Sequence, residues 1–282
     1  MPPSLAPPVD EPVSDACSDA AAQILPHRVD SYGSVVVDAL LLPNSPSLFV
    51  AALQASLTAW RNEGRRAVWL SVPLHQSCLI PLAVASGFAF HHAEKSHLML
   101  TSWLLVGEPC TLPSNASHSV GVAAFVVNAR GEVLVVQEIR GPFARYGHWK
   151  LPTGSVNQGE PLHVAAVREV MEETRMLSLF AGVLGFRQEH NMLFGKDDLL
   201  FLCAMRLCEH PVPADPVAAE GEIAAARWMP VSQFAELAHA GEDTVWGHFH
   251  SLCMRWLLKE QVLLTSRQCK GGNRPGLVYR VT

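Results

Sequence analysis

Between Gly154 and Glu173 the chain reads G-S-V-N-Q-G-E-P-L-H-V-A-A-V-R-E-V-M-E-E, and this spacing constrains the fold more than any other stretch. Glu169, Glu172 and Glu173 stand three and four residues apart, so a helix gathers all three carboxylates into one neighbourhood. On a solvated face they would repel one another. A divalent cation removes that repulsion, and carboxylate oxygens are the ligands that Mg²⁺ and Mn²⁺ prefer. Arg168 precedes Glu172 by four and can pair with it, its planar fork orienting one carboxylate while the others face the ion. Val164, Val167 and Met171 recur on the opposite side at helical spacing, an apolar back that anchors the helix to a core. An ordinary acidic helix could carry the Arg-Glu-x-x-Glu-Glu run, but it has no need of the Gly and Glu at fixed offsets upstream.

With 282 residues and 49% hydrophobic content, the chain can bury two cores of ordinary size. A formal charge of −5 without a dense Lys/Arg cluster argues against gripping nucleic acid as the main task, while leaving room for a nucleotide-sized ligand. Seven Cys without a C-x2-C pair suit a reducing compartment and a cytoplasmic location rather than a disulfide framework or zinc site. No stretch is apolar enough to span a membrane, so no membrane partnership is expected.

Residues 1–27, rich in Pro and Ala with four acids and no Lys or Arg, read as a disordered tail. An α/β pattern follows over 28–106: an apolar run at 32–42, a helix over 47–62, a strand over 67–72, a short helix over 79–86 and a strand over 97–105. A Gly/Pro-containing linker covers 107–117. The second domain, 118–262, opens with a hairpin over 120–139 and passes through Trp149-Lys-Leu-Pro-Thr-Gly154 into the metal helix. It continues with strands over 181–188, 199–207 and 224–229 and closes with a helix over 244–259. Residues 263–282 are expected to be a flexible tail.

The stretch from Gly154 resembles the box of the Nudix hydrolases, G-x5-E-x7-R-E-U-x-E-E-x-G-U, where U is a bulky aliphatic residue. Gly154, Glu160, Arg168, Glu169, Val170, Glu172, Glu173 and Met176 match it; Arg175 stands where the box has its last Gly. A glycine ending a helix usually supplies a left-handed cap, where another residue costs roughly 1 kcal/mol. The departure therefore bears on stability more than on chemistry. Segments at 32–38, 87–94, 149–154 and 186–190 are similar to the two-domain branch of the family, which includes plant ADP-ribose and NADH pyrophosphatases.

The resemblance implies an α/β/α sandwich with a mixed sheet, preceded by a small acetyltransferase-like α/β domain. It implies Mg²⁺ or Mn²⁺ on Glu169, Glu172 and Glu173, and catalytic roles for Glu160, Arg168 and Glu172. Gly154 would let the backbone turn sharply and approach a phosphate, and Arg187 would offer that phosphate a bidentate fork. The expected reaction is metal-dependent hydrolysis of a nucleoside diphosphate linked to another moiety, ADP-ribose or NADH giving AMP. The rival reading is a catalytically weak regulatory or nucleotide-binding scaffold. The N-terminal domain has three open roles: covering the cleft, supporting a homodimer or binding a partner. Adjacent His91 and His92 are expected on opposite faces of a strand, and Glu222 is read either as a loop acid or as a further acid near the metal site.

Overall fold

The computed structural model describes residues 23–141, 144, 147–208, 215–237, 245–259, 264–269 and 276–281. The chain divides into two compact units, Met1–Asn115 and Ala116–Thr282, and the division falls within the stretch read as a linker. The fold is mixed α/β with two mixed sheets.

The first unit has a five-stranded sheet in the order β1-β2-β3-β5-β4. Its strands are β1 (His27–Val29), β2 (Val35–Val37), β3 (Ala67–Pro73), β4 (Ala89–Ala93) and β5 (His97–Trp103). β2 runs parallel to β3 and the other neighbours are antiparallel. Helix α1 (Pro46–Asn62) starts with Pro at its first position, which needs no intrahelical N–H there, and turns Phe49, Leu53, Leu57 and Trp60 inward. These side chains meet Val35, Val37, Val68, Leu70, Val72 and Leu100 of the sheet, with Leu79, Ala83 and Phe88 from around the short helix α2 (Ile80–Ala85).

The expected tail at 1–27 needs correcting at its end. Residues 1–22 lie outside the described residues, but Leu25 is 2% exposed and its N–H donates to Ser56 Oγ at 2.8 Å, while His27 packs edge-on against Trp60. These contacts with Ser56 and Trp60 are long-range, and local composition does not reveal them. The histidine expectation also fails. A register shift between Phe90 and His92 marks a bulge in β4, and it turns both rings to one side, their Nδ1 atoms 2.6 Å apart.

The second unit is built on a sheet of order β11-β7-β6-β10-β9-β12-β13, in which β12 is Leu264–Cys269 and β13 is Gly276–Val281. Its strands include β6 (His118–Val127), β7 (Glu132–Glu138), β8 (Thr153–Ser155), β9 (Ser178–Glu189), β10 (Asp197–Leu207) and β11 (Ile223–Pro230). The expected hairpin of β6 and β7 pairs only at Val127–Val133. Beyond that point the two splay, and the segment ahead of the box enters the gap. Lys150 bridges to Val136 on β7, and β8 pairs with Gly121–Ala123 on β6. This wedge delivers the box to the sheet.

β6 is buried on both faces because it runs parallel to β10 in the middle of the sheet. Val122, Ala124 and Val126 face α3 (Leu162–Thr174), whose Ala165, Ala166 and Val170 cover them. Ala123 and Phe125 face the other way, toward Phe234 of α4 (Val231–Leu237) and Phe249, Cys253 and Trp256 of α5 (Val245–Leu257). Helices therefore cover both faces, giving three layers. Cys203 and Cys253 are small buried side chains, whereas Cys78 and Cys110 are exposed.

The stretch expected as a flexible tail at 263–282 contains two strands, β12 (Leu264–Cys269) and β13 (Gly276–Val281), which pair with each other; Leu264 also pairs with Val183 of β9. Val278, Tyr279 and Val281 are residue types that suit a strand, but the edge on which the hairpin docks belongs to the distant β9. Among the described residues no helix is long and apolar enough to cross a membrane.

Candidate active site

The side chains singled out in the box converge where β8 meets α3. The burial of α3 differs from the expected pattern. Its buried residues are Ala165, Ala166, Glu169, Val170, Glu173 and Thr174, whereas Val164, placed on the apolar back from sequence, is 43% exposed. Two of the three carboxylates thus belong to the buried side. Glu169 is 8% exposed and Glu173 3%.

Gly154 shows how they fit. It sits in extended backbone within β8, not in a sharp turn, so the expected role in a turn is replaced by a steric one. A Cβ built on it would lie 2.1 Å from the carboxyl carbon of Glu169 and 2.2 Å from both oxygens. Only glycine leaves room for that carboxylate against the strand. One residue earlier, the Thr153 N–H donates to Glu173 Oε2 at 3.2 Å.

Arg168 organises the cluster more fully than the expected pairing with Glu172. Its Nε and Nη2 donate to the two oxygens of Glu160 at 2.7 and 2.8 Å, and Nη2 also donates to the Ser155 carbonyl at 2.8 Å. Nη1 donates to Glu169 at 2.6 Å and to Glu172 at 3.0 Å. These five bonds match the five N–H donors of a guanidinium. Glu160 also accepts from the Asn157 N–H at 2.9 Å. The Arg168 hydrogen bonds hold its carboxyl far below the usual range, at about 2, so it is an ionised anchor and a poor proton acceptor.

Burial pushes Glu173 up to about 8, against the opposing pull of Lys150 and the Thr153 N–H. Burial also raises Glu169, opposed by Arg168. Each of the pair further feels Glu222, whose charge adds to the upward push, so the structure brings this loop acid into the electrostatic field of the cluster. Sequence reasoning gave no role to Lys150, which pairs with Glu138 at 2.6 Å and is the nearby cation facing Glu173. Its signal was the position four residues before Gly154 on the segment that wedges between β6 and β7.

The donor set suits a hard divalent cation: buried carboxylates whose negative charge is resisted by burial and by one another. Among the described residues no three His, Cys, Asp or Glu side chains converge on one point as they stand, and Arg168 is the cation that Glu160, Glu169 and Glu172 share. Glu172 is the outward member, its side chain 58% exposed. Arg187, the expected phosphate ligand, lies outside the box on β9. Its guanidinium is engaged by Glu189 and by Asp198, the latter at 3.5 Å, so two carboxylates already balance its charge.

Comparison with known proteins decides the family. Residues 25–104 match the Nudix hydrolase domain and residues 117–247 the NUDIX domain. Nudix hydrolase 2 of Arabidopsis thaliana is 46% identical over 214 residues, which is 76% of this chain and 75% of that protein. The chain belongs to the Nudix hydrolase family. Nudix hydrolase 8 of Arabidopsis thaliana is 45% identical over 224 residues, 79% of this chain but 60% of its own length, so this chain spans about three fifths of that relative. Nucleoside diphosphate-linked moiety X motif 6 of Homo sapiens is 40% identical over 64% of this chain and 58% of its own. Nudix hydrolases generally use divalent metal ions such as Mg²⁺ or Mn²⁺. At the one box position where this Nudix chain departs, Arg175 caps α3 with φ 60° and ψ 12°, donating its N–H to the Met171 carbonyl at 3.0 Å. The left-handed conformation is kept without the glycine that usually supplies it.

Proposed function

We propose that this Nudix chain hydrolyses the diphosphate of ADP-ribose or NADH to release AMP, with Mg²⁺ or Mn²⁺ held by Glu169, Glu172 and Glu173. The observation that carries the reading is the buried Glu169–Glu173 pair set against Gly154 and Thr153, an arrangement whose charge calls for a cation. When bound, the ion would neutralise diphosphate oxygens and lower the pKa of a water. Arg168 is a positioning residue, holding Glu169 and Glu172 at fixed places relative to Ser155. Glu160 keeps Arg168 in register by a bidentate bond. The Thr153 N–H orients Glu173, and Lys150 limits the negative charge of the pocket. Arg187 is the proposed phosphate contact, and an incoming phosphate would compete there with Glu189 and Asp198.

Addition of water across the diphosphate of ADP-ribose gives AMP and ribose 5-phosphate; with NADH the second product is reduced nicotinamide mononucleotide. The test is AMP release from ADP-ribose, NADH, NAD, diadenosine polyphosphates, coenzyme A and capped RNA, with Mg²⁺, with Mn²⁺ and with chelator. Metal-dependent AMP from ADP-ribose or NADH, lost in Glu169→Gln and Glu173→Gln, is the expected result. Silence across the panel, or wild-type rates in both variants, overturns it.

A further inference from the structure

The first unit carries its helices α1 and α2 on one face of its sheet, through Val68, Leu70, Val72 and Leu100. Side chains alternate along a strand, so Trp69 on β3 and Trp103 on β5 turn to the other face. A cleft of about 440 Å³ opens there, lined by Asp30, Tyr32, Ser34, Arg66, Trp69 and Trp103, with the stretch 111–113 as a further wall. That volume lies in the ordinary range for small-molecule sites.

The lining is held in place. The Trp103 indole N–H donates to the Glu108 carbonyl at 3.1 Å, and the Trp69 ring meets His91 edge-on at 5.0 Å. His91 Nε2 lies 2.9 Å from the Pro113 carbonyl, tying down the further wall. Arg66 stacks over Trp103, its Cζ 5.5 Å from the ring centroid, and donates from Nη2 to Thr111 Oγ1 at 3.0 Å. Both partners are neutral, and no carboxylate among the described residues pairs with this guanidinium. Asp30 folds the β1–β2 turn by accepting the N–H groups of Tyr32 and Ser34 on Oδ1, at 2.9 and 2.8 Å, and Oδ2 takes no part in these bonds.

Three requirements on a ligand follow. Two half-buried indoles and the exposed Tyr32 ring ask for a flat π system. An arginine without an acidic partner asks for an anion, phosphate suiting its fork. A carboxylate oxygen at the same cleft asks for N–H donors, which an aryl phosphate lacks and an adenine amine supplies. We propose that the cleft on the open sheet face of the first unit binds a purine mononucleotide, the base on Trp69 and Trp103 and the phosphate on Arg66. The site lies wholly within the first unit and does not depend on the reaction proposed for the second.

The test is equilibrium dialysis of AMP against the full chain in excess chelator, which disables the metal-dependent site. Adenosine and ribose 5-phosphate serve as half-ligand probes. Saturable AMP binding is expected, weakened roughly tenfold or more by Arg66→Gln and by Trp69→Ala, and largely kept by Trp69→Phe and Glu169→Gln. Adenosine should bind more weakly than AMP, and ribose 5-phosphate hardly at all. Trp69→Phe guards against a folding defect in the alanine variant, since it keeps the platform. Absence of saturable binding overturns the proposal. So does saturable binding that Arg66→Gln and Trp69→Ala both leave intact, and its loss in Glu169→Gln would then place the nucleotide at the box.

Discussion

Glu173 offers a measurable consequence of burying a carboxylate. In metal-free protein its pKa rises from the ordinary 4.5 to about 8, with burial as the largest cause. A carboxyl raised in this way favours the folded state fully below pH 4.5, where both states are protonated. That contribution is lost as pH rises through the folded value, because the unfolded chain ionises first. The slope is about 1.4 kcal/mol per pH unit inside the window. Between pH 5.5 and 7.5 the loss comes to roughly 2.5 kcal/mol, or about 5–10 °C in Tm for a unit of this size. Glu173→Gln keeps an oxygen for the Thr153 N–H but carries no proton to lose. Urea unfolding of both proteins in chelator, at half-unit pH steps, isolates the residue, because every other titrating group is common to the two. The stability difference, variant minus wild type, should grow by roughly 2.5 kcal/mol across that range. Parallel pH profiles would refute the claim that an uncompensated buried carboxylate sits there. Saturating Mg²⁺ or Mn²⁺ should flatten the wild-type slope, since the ion binds the ionised form.

Three further outcomes follow from the site. Gly154→Ala should abolish AMP release while the protein stays folded, because the new methyl overlaps the Glu169 carboxylate; a variant with wild-type turnover would show that Glu169 can move without consequence. Arg175→Gly should raise stability by about 1 kcal/mol in chemical denaturation and change the rate little, since it relieves a left-handed backbone at φ 60°. A large gain in rate would mean that the box glycine acts on the chemistry. Arg168→Lys should lower turnover at least tenfold with retained folding, because an ammonium has three donors and no planar fork for the five acceptors now served; near-normal rates would show that charge alone suffices there.

How much of this was legible in the sequence depends on distance along the chain. The spacing from Gly154 to Glu173 placed the chemical groups on one helix because the 3.6-residue period is local, and the three-layered second unit agrees with the family resemblance. The buried side of that helix was not legible. Small Ala165 and Ala166 were overlooked beside Val164 and Val167, and the burial of Glu169 depends on a glycine fifteen residues earlier in a strand. The β6–β7 hairpin looked complete because its turn is local, whereas the wedge that splits it comes from a later segment. The C-terminal strands and the ordered Leu25 fail for the same reason: their partners, Val183 and Ser56, lie far off in sequence.

These non-local features also explain why the site is built as it is. A helix presenting three carboxylates to water would need no glycine in the neighbouring strand and no arginine with five engaged donors. Burying two of the three creates the need for both, because the carboxylate must have space and its charge must have a partner. Arg168 meets part of that need for Glu169, and Lys150 acts on Glu173, yet burial still outweighs both and leaves each carboxyl raised. A pocket that stays short of positive charge after its own cations are counted is one whose affinity for a divalent ion should rise with pH, up to tenfold per unit below about pH 8 as Glu173 gives up its proton. A Mn²⁺ titration at pH 6, 7 and 8 reads that slope directly, and an affinity independent of pH would mean that Glu173 is not among the ligands.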